Sequence, residues 1–183
     1  MKNTLLNDLS HALMSHYIKP TDVVIDATMG NGQDTLHVAK LAKHVYAFDI
    51  QEQALIETQK RLIDNRIKNV DLILSSHEYF EHYVDQFNYV IFNLGYLPKG
   101  DKQITTKEES TLKTLELILS KLPVGGYVQL MIYIGHAEGL KESIALDLFF
   151  KRLSPLSYKI SKIDLPYQDN KPPYIILIQK IDH

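Results

Sequence analysis

Two short stretches of this sequence carry residues whose types and spacing could do chemistry. The first is Asp26-Ala27-Thr28-Met29-Gly30-Asn31-Gly32-Gln33-Asp34-Thr35. It lies between the apolar run Val23-Val24-Ile25 and the helical pattern of Leu36-His37-Val38-Ala39-Lys40-Leu41-Ala42. Strand, glycine turn and helix start follow one another, which is the layout of a nucleotide-type cofactor site at the carboxyl end of a first strand. Gly30 and Gly32 let the backbone approach a ligand closely. Asp49 ends the next apolar run, 23 residues beyond Asp26, where a carboxylate can accept both hydroxyls of a ribose. The dinucleotide pattern G-x-G-x-x-G is incomplete, because Thr35 stands where its third glycine belongs. Asp26 adds negative charge beside the turn, which suits a cationic ligand better than a pyrophosphate. S-adenosylmethionine, a sulfonium with a free amino group, is such a ligand. The competing reading is a structural turn in which Asp34 caps the following helix.

The second stretch is Phe92-Asn93-Leu94-Gly95-Tyr96-Leu97-Pro98, at the end of a fourth apolar run. Asn93 offers a carbonyl acceptor, and Gly95 lets backbone carbonyls come close. An amine entering here can donate its hydrogens to these oxygens while its lone pair faces a donor methyl, and Tyr96 can stack on a planar substrate. The stretch resembles the Asn-Pro-Pro-Tyr motif of amino-group methyltransferases, with Leu94-Gly95 in place of the two prolines. The competing reading is an ordinary strand exit with a buried tyrosine.

The rest of the chain must position these residues. The pattern predicts helices over 5–17, 34–42, 51–65, 106–121 and 138–153, and strands over 22–26, 45–49, 70–74, 89–93, 127–133, 158–164 and 174–181. Such alternation predicts an α/β fold, a mostly parallel seven-stranded sheet with helices on both faces. The last two strands are joined too tightly for a crossover helix and should pair antiparallel. With 183 residues, 45% apolar and 23% charged, the chain reads as one domain over 1–183, opened by an N-terminal helix within 1–19. There is no cysteine, which excludes thiolate chemistry. No run approaches a membrane span and no signal-peptide core opens the sequence, so a cytoplasmic protein is expected. A net charge of −2 does not advertise nucleic-acid binding.

Five motifs together resemble a known family: Asp26 to Thr35, Phe48-Asp49-Ile50-Gln51, Ser76-His77-Glu78, Phe92 to Pro98 and Tyr133-Ile134-Gly135-His136-Ala137-Glu138-Gly139. The chain is similar, over about residues 5–180, to the small bacterial methyltransferases first labelled rRNA methylases. Members of that group resemble the enzyme that methylates 5-aminomethyl-2-thiouridine at the tRNA wobble position. The resemblance implies a Rossmann-like class I methyltransferase fold and S-adenosylmethionine as cofactor. It implies methyl transfer to the exocyclic amine at position 34 of tRNA, recognised through the anticodon stem-loop. It also places Thr28, Asn31, Gln33, Asp34, Thr35, Gln51, Ser76, His77 and Gly95 with Asp26, Gly30, Gly32, Asp49 and Asn93 among the cofactor-binding residues. Met29, Ile134 and Lys99 depart from the residues common at those positions, and none removes a functional group the reaction needs.

Methyl transfer from a sulfonium needs no metal, but it needs an uncharged amine. His136 is the side chain best suited by type to assist deprotonation or to position the substrate. Equally, His136 and Glu138 could merely cap the helix that starts there. His77 is placed to meet the adenine, and Ser76 to cap the next helix. His11, His16, His37, His44, His82 and His183 show no metal-ligand spacing and are read as non-ligands. For RNA, Lys99, Lys102, Tyr133, His136 and Glu138 are candidate substrate contacts. Lys151, Arg152, Lys159, Lys162 and Lys171 could add phosphate contacts, and Tyr167 and Tyr174 could stack on bases; solvated surface and strand packing are the plainer readings of these. A homodimer is expected from the chain's small size and apolar first helix. Two other classes stay open: a methyltransferase acting on rRNA or another amine, and a non-catalytic nucleotide- or RNA-binding module.

Overall fold

The structure, a computed structural model, describes residues 4–94, 108–169 and 171–182, with Thr4 and Glu108 as backbone only. Gly95, Tyr96, Lys99 and Lys102 lie outside the described residues. The elements run α1 (Thr4–Tyr17), β1 (Val23–Asp26), α2 (Gln33–Ala39), β2 (His44–Asp49), α3 (Glu52–Asp64), β3 (Val70–Leu74), a 3-10 helix (His77–His82), β4 (Tyr89–Leu94), α4 (Glu108–Lys121), β5 (Tyr127–Ile132), α5 (Ala137–Arg152), β6 (Tyr158–Ile163) and β7 (Tyr174–Lys180). Every predicted strand and helix is present, with ends shifted by a few residues. The helix that Ser76 was expected to cap is the short 3-10 helix, to which the sequence reading gave no bounds because it is too short to show a helical period.

The strands form one sheet in the order β3-β2-β1-β4-β5-β7-β6. The first five strands are parallel. β7 runs antiparallel to β5 and to β6, as the short connection between the last two strands requires. Strand order reverses between β1 and β4, and the cleft outside the carboxyl ends of such a pair is where a doubly wound sheet holds its ligand.

Side-chain alternation decides which residues reach that cleft from which face. Val24 and Ile91 pack with Met14, Ile18, Val38 and Ala39, under α1 and α2. Ile25, Val90, Phe92 and Leu94 pack on the opposite face with Leu115, Ile118 and Leu146 of α4 and α5. Asp26 and Asn93 keep the parity of Val24 and Ile91, so both face α1 and α2. Tyr133 likewise follows Met131, which packs with Leu6 of α1.

α1 is fixed to the sheet by more than apolar contact. The Gln129 amide donates to Ser10 Oγ at 2.7 Å and to the Ser10 carbonyl at 3.2 Å, and the Tyr89 hydroxyl donates to Gln129 Oε1 at 2.5 Å. All three side chains are buried, so the network leaves these polar groups satisfied. The apolar face of α1, read from sequence as a possible dimer contact, is covered by the chain's own sheet.

Candidate active site

The loop after β1 is held by its own side chains. Gly30 and Gly32 have φ of 51° and 70°, a backbone that favours glycine. A Cβ on Gly32 would lie 2.6 Å from Oγ1 and Cγ2 of Thr58. The Thr58 hydroxyl donates to the Gly30 carbonyl at 3.1 Å, and Arg61 Nε to the Asn31 carbonyl at 2.8 Å. The Gly30 amide donates to Asp49 Oδ2 and the Gln51 amide to Asp49 Oδ1, each at 3.0 Å. Asp49 thus joins the turn to the end of β2. Each of its oxygens keeps a lone pair for a ribose hydroxyl. Burial raises its pKa above the ordinary carboxylate range.

Asp26 is turned inward. It is 1% exposed and accepts from Thr35 Oγ1 at 2.6 Å and from the Thr28 amide at 3.2 Å. Burial pushes its pKa up to about 7. Its carboxylate organises the turn from beneath, whereas the sequence suggested a negative charge offered to a cation. The Thr28 hydroxyl accepts from the Asn93 amide N–H at 2.7 Å and so ties the loop to β4. The negative charge at the cleft is Asp34, in the first turn of α2, with its side chain 22% exposed. Burial acts to raise its pKa, but hydrogen bonds from His11 and Asn93 outweigh it, and the net shift is downward. Gln33 opens α2, with Gly32 at its N-cap; Asp34 does not cap it.

His11 is the residue that sequence reasoning missed. Its Nε2 donates to Asp34 Oδ1 at 2.7 Å, and its ring stacks on His37 with centroids 4.1 Å apart. The His37 Nε2 reaches the His11 carbonyl at 3.1 Å and Ser15 Oγ at 3.0 Å. The hydrogen bond to Asp34 raises the His11 pKa, while burial lowers that of His37. No period or motif marks the pairing of His11 with Asp34, since the two are 23 residues apart on separate helices.

His77 lies under the loop, buried, with Nδ1 donating to the Ala27 carbonyl at 3.1 Å. That bond fixes the tautomer, so Nε2 is an acceptor, and it is buried without a hydrogen-bond partner. Ser76 caps the 3-10 helix by accepting from the Glu78 amide at 3.3 Å. An orphan acceptor beside a turn whose Asp49 keeps free lone pairs fits an adenosine, whose base offers an amino donor and whose sugar offers two hydroxyls.

On the far side, His136 is the N-cap of α5, its Nδ1 accepting from the Gly139 amide at 3.0 Å. A neutral ring accepting there carries its proton on Nε2. That edge donates, and a second proton on Nδ1 would break the cap. The contact with Gly139 is the capping role that the sequence offered as one reading of His136. Glu138 is exposed and pairs with Lys141 at 3.0 Å, pointing to solvent. Tyr133 is half-buried against the α1 face. Tyr174 is buried, bonds to Ser143 at 2.9 Å and lies under Lys162, so it packs and does not stack on a base. Tyr167 is 95% exposed. Lys151 and Lys162 pair with Asp147 and Asp164. A groove lined by Tyr46, Leu62, Ile67, Leu72 and Tyr83 holds none of the site residues.

Comparison with known proteins bears on this cleft. The family described as "Putative rRNA methylase" matches residues 45–179. A chloroplastic tRNA (mnm(5)s(2)U34)-methyltransferase of Arabidopsis thaliana is 32% identical over 189 residues, covering 94% of this chain and 69% of the relative. A "putative methyltransferase" of Streptococcus mutans, solved in complex with SAH, is 41% identical with a TM-score of 0.90 over 96% of this chain and 98% of that one. A "putative rRNA-methylase" of Clostridium thermocellum is 36% identical with a TM-score of 0.92, over 99% of each chain.

Proposed function

The chain belongs to the Putative rRNA methylase family, S-adenosylmethionine-dependent methyltransferases of Rossmann-like class I fold, and on that premise we propose that it methylates the exocyclic amine of 5-aminomethyl-(2-thio)uridine at the wobble position of tRNA. The observation that carries this reading is the orientation of Asn93. Its NH2 donates to Asp34 at 3.0 Å, which leaves its carbonyl oxygen as an acceptor at the end of β4. An amine is the substrate class that an acceptor in that place suits.

Bound in the cleft, S-adenosylmethionine supplies a methyl group already activated by its sulfonium. The protein's own part is orientation and desolvation. Asp49 and the turn at Gly30 and Gly32 would hold the sugar end, and His77 Nε2 would accept from the base. Thr35 and the Asn31 carbonyl fix the loop, Gln33 is assigned to the cofactor, and Gly95 and Tyr96, next in sequence to Leu94, are assigned to cofactor and amine. The Asn93 carbonyl accepts one amine hydrogen and aligns the lone pair. The C–N bond forms as the C–S bond breaks, the electron pair stays on sulfur, and the amine proton leaves to water. An alkylamine resembles lysine, with a pKa of ~10.4, and desolvation on binding would favour its neutral form. Tyr133, His136, Glu138, Lys99 and Lys102 are the residues we assign to contact with the anticodon stem-loop.

We also read the protein as a homodimer, in which α5 presents Leu140, Ile144 and Leu148 at one-turn spacing, each 43–57% exposed. A single species of monomer mass in light scattering would rule that out.

The deciding assay supplies purified protein and S-adenosylmethionine to tRNA from cells that lack this gene. Methylaminomethyluridine should appear and aminomethyluridine should fall. The family description makes rRNA the second reading, so bulk rRNA from the same cells is the parallel substrate. Methylation of rRNA with tRNA untouched would replace the proposal with that one.

A further inference from the structure

We propose that His11 is a positioning residue for methyl transfer, acting through Asp34 to fix which end of the Asn93 amide faces the incoming amine. The inference rests on the reading that Asn93 meets an amine. It adds a residue from α1, outside every motif that carries the family resemblance.

Asp34 stands between the two side chains. One carboxylate oxygen accepts from His11 Nε2 at 2.7 Å and the other from Asn93 Nδ2 at 3.0 Å. An ionised carboxylate only accepts. While Asp34 keeps its charge, Asn93 must turn its NH2 toward it and its carbonyl away. A protonated Asp34 could donate to that carbonyl and reverse the amide, which would then present hydrogens to an amine that also has hydrogens to place. His11 is held for the task. Its ring is stacked on His37, the His11 carbonyl accepts from His37, and α1 is anchored one residue earlier by Ser10 on Gln129.

The charged and titratable groups around Asp34 come from every neighbouring element. They are His11 of α1 with Asp8 acting on it, His37 of α2 with Lys40 acting on it, buried Asp26 of β1, and Tyr133 after β5. Of these, His11 makes the charge-assisted hydrogen bond. Losing it leaves the Asn93 hydrogen bond and the nearby His37 to oppose burial, and so moves Asp34 toward the neutral acid, the state that undoes the arrangement.

The test is single-turnover transfer of a radiolabelled methyl group to tRNA from cells lacking the gene, with SAH affinity measured by calorimetry. His11→Ala should slow transfer about ten- to a hundredfold, the range for one hydrogen bond to a charged group, with SAH affinity within about threefold of wild type. His11→Gln, whose amide N–H can replace Nε2–H, should recover most of the rate. In an Asn93→Ala background His11→Ala should cost nothing further. Equal slowing in both backgrounds would overturn the proposal, as would a Gln variant no better than Ala. A wild-type chain that binds SAH yet leaves aminomethyl tRNA unmethylated would overturn the functional reading and this inference with it. His11 failing alone would leave the function standing.

Discussion

The Asn93 side-chain amide donates to the Asp34 carboxylate at 3.0 Å, across 59 residues of sequence. The contact follows from strand parity. Asn93 shares a face with Ile91, under α1 and α2, and α2 begins one residue before Asp34. The same face carries Asp26, two residues along β1 from Val24. One side of the sheet therefore holds the polar machinery at the carboxyl ends of β1 and β4, while Phe92 and Leu94 of β4 close the core on the other.

Replacing Asn93 separates orientation from binding. Asn93→Ala should lower kcat by about 10²–10³, the scale of one preorganised polar group at a reacting centre, with the SAH Kd nearly unchanged. Asn93→Asp should be no better, because two carboxylates would meet where a donor and an acceptor now do. Initial rates and calorimetry on the same preparations check both.

Asp49 should behave in the opposite way. It accepts two backbone amides and retains lone pairs for the ribose. Asp49→Ala should weaken SAH binding by about ten- to a hundredfold, since hydrogen bonds to a charged group contribute about 1.5–3 kcal/mol. The rate at saturating S-adenosylmethionine should stay within a few-fold of wild type. An Asp49→Ala enzyme with unaltered SAH affinity would remove it from the cofactor site.

Gly32 is constrained twice, by its φ of 70° and by Thr58 at 2.6 Å from a Cβ. Gly32→Ala should destabilise the fold by about 2–5 kcal/mol, combining ~1–2 for a left-handed backbone with ~1–3 for overpacking. Denaturant titration would measure it. A loss of only about 1–2 kcal/mol would mean that α3 yields at Thr58 and only the backbone cost remains, and a variant with wild-type stability would refute both constraints.

The sequence made some of this site legible and hid the rest for physical reasons. Short apolar runs over Val23–Ile25, Val45–Phe48 and Tyr89–Phe92 mark strands, and a polar residue follows each at its carboxyl end, so Asp26, Asp49 and Asn93 could be picked out directly. Direction was not legible. A carboxylate beside a glycine turn reads as charge offered to a ligand, and nothing local says that Thr35 and Thr28 turn Asp26 inward. His136 allowed two readings, and the sequence could not show that its Nδ1 takes the Gly139 amide as the cap of α5. His11 left no trace, because helical period marks the apolar face of α1 and is silent on a polar contact made to another helix.

The inward turn of Asp26 has a measurable consequence for stability. Burial raises its pKa from 3.8 to about 7, so the folded state binds this proton more tightly than the unfolded chain. The stability it contributes is fully present below about pH 4 and is lost as the pH rises through 7. Three pKa units at about 1.36 kcal/mol each give a loss on the order of 4 kcal/mol. His11, whose pKa is also raised, adds a change of the same sign. Asp34, whose pKa is lowered, acts oppositely and only as the pH falls through its folded value, below the ordinary carboxylate range. Denaturant titrations of wild type and Asp26→Asn at pH 5, 6, 7 and 8 isolate the Asp26 part. The variant should gain on the wild type from pH 5 to 7 and level off toward pH 8, because its amide keeps an acceptor for Thr35 and has no proton to lose. A constant difference between the two proteins would mean that Asp26 stays ionised in the folded chain and that its two hydrogen bonds outweigh its burial.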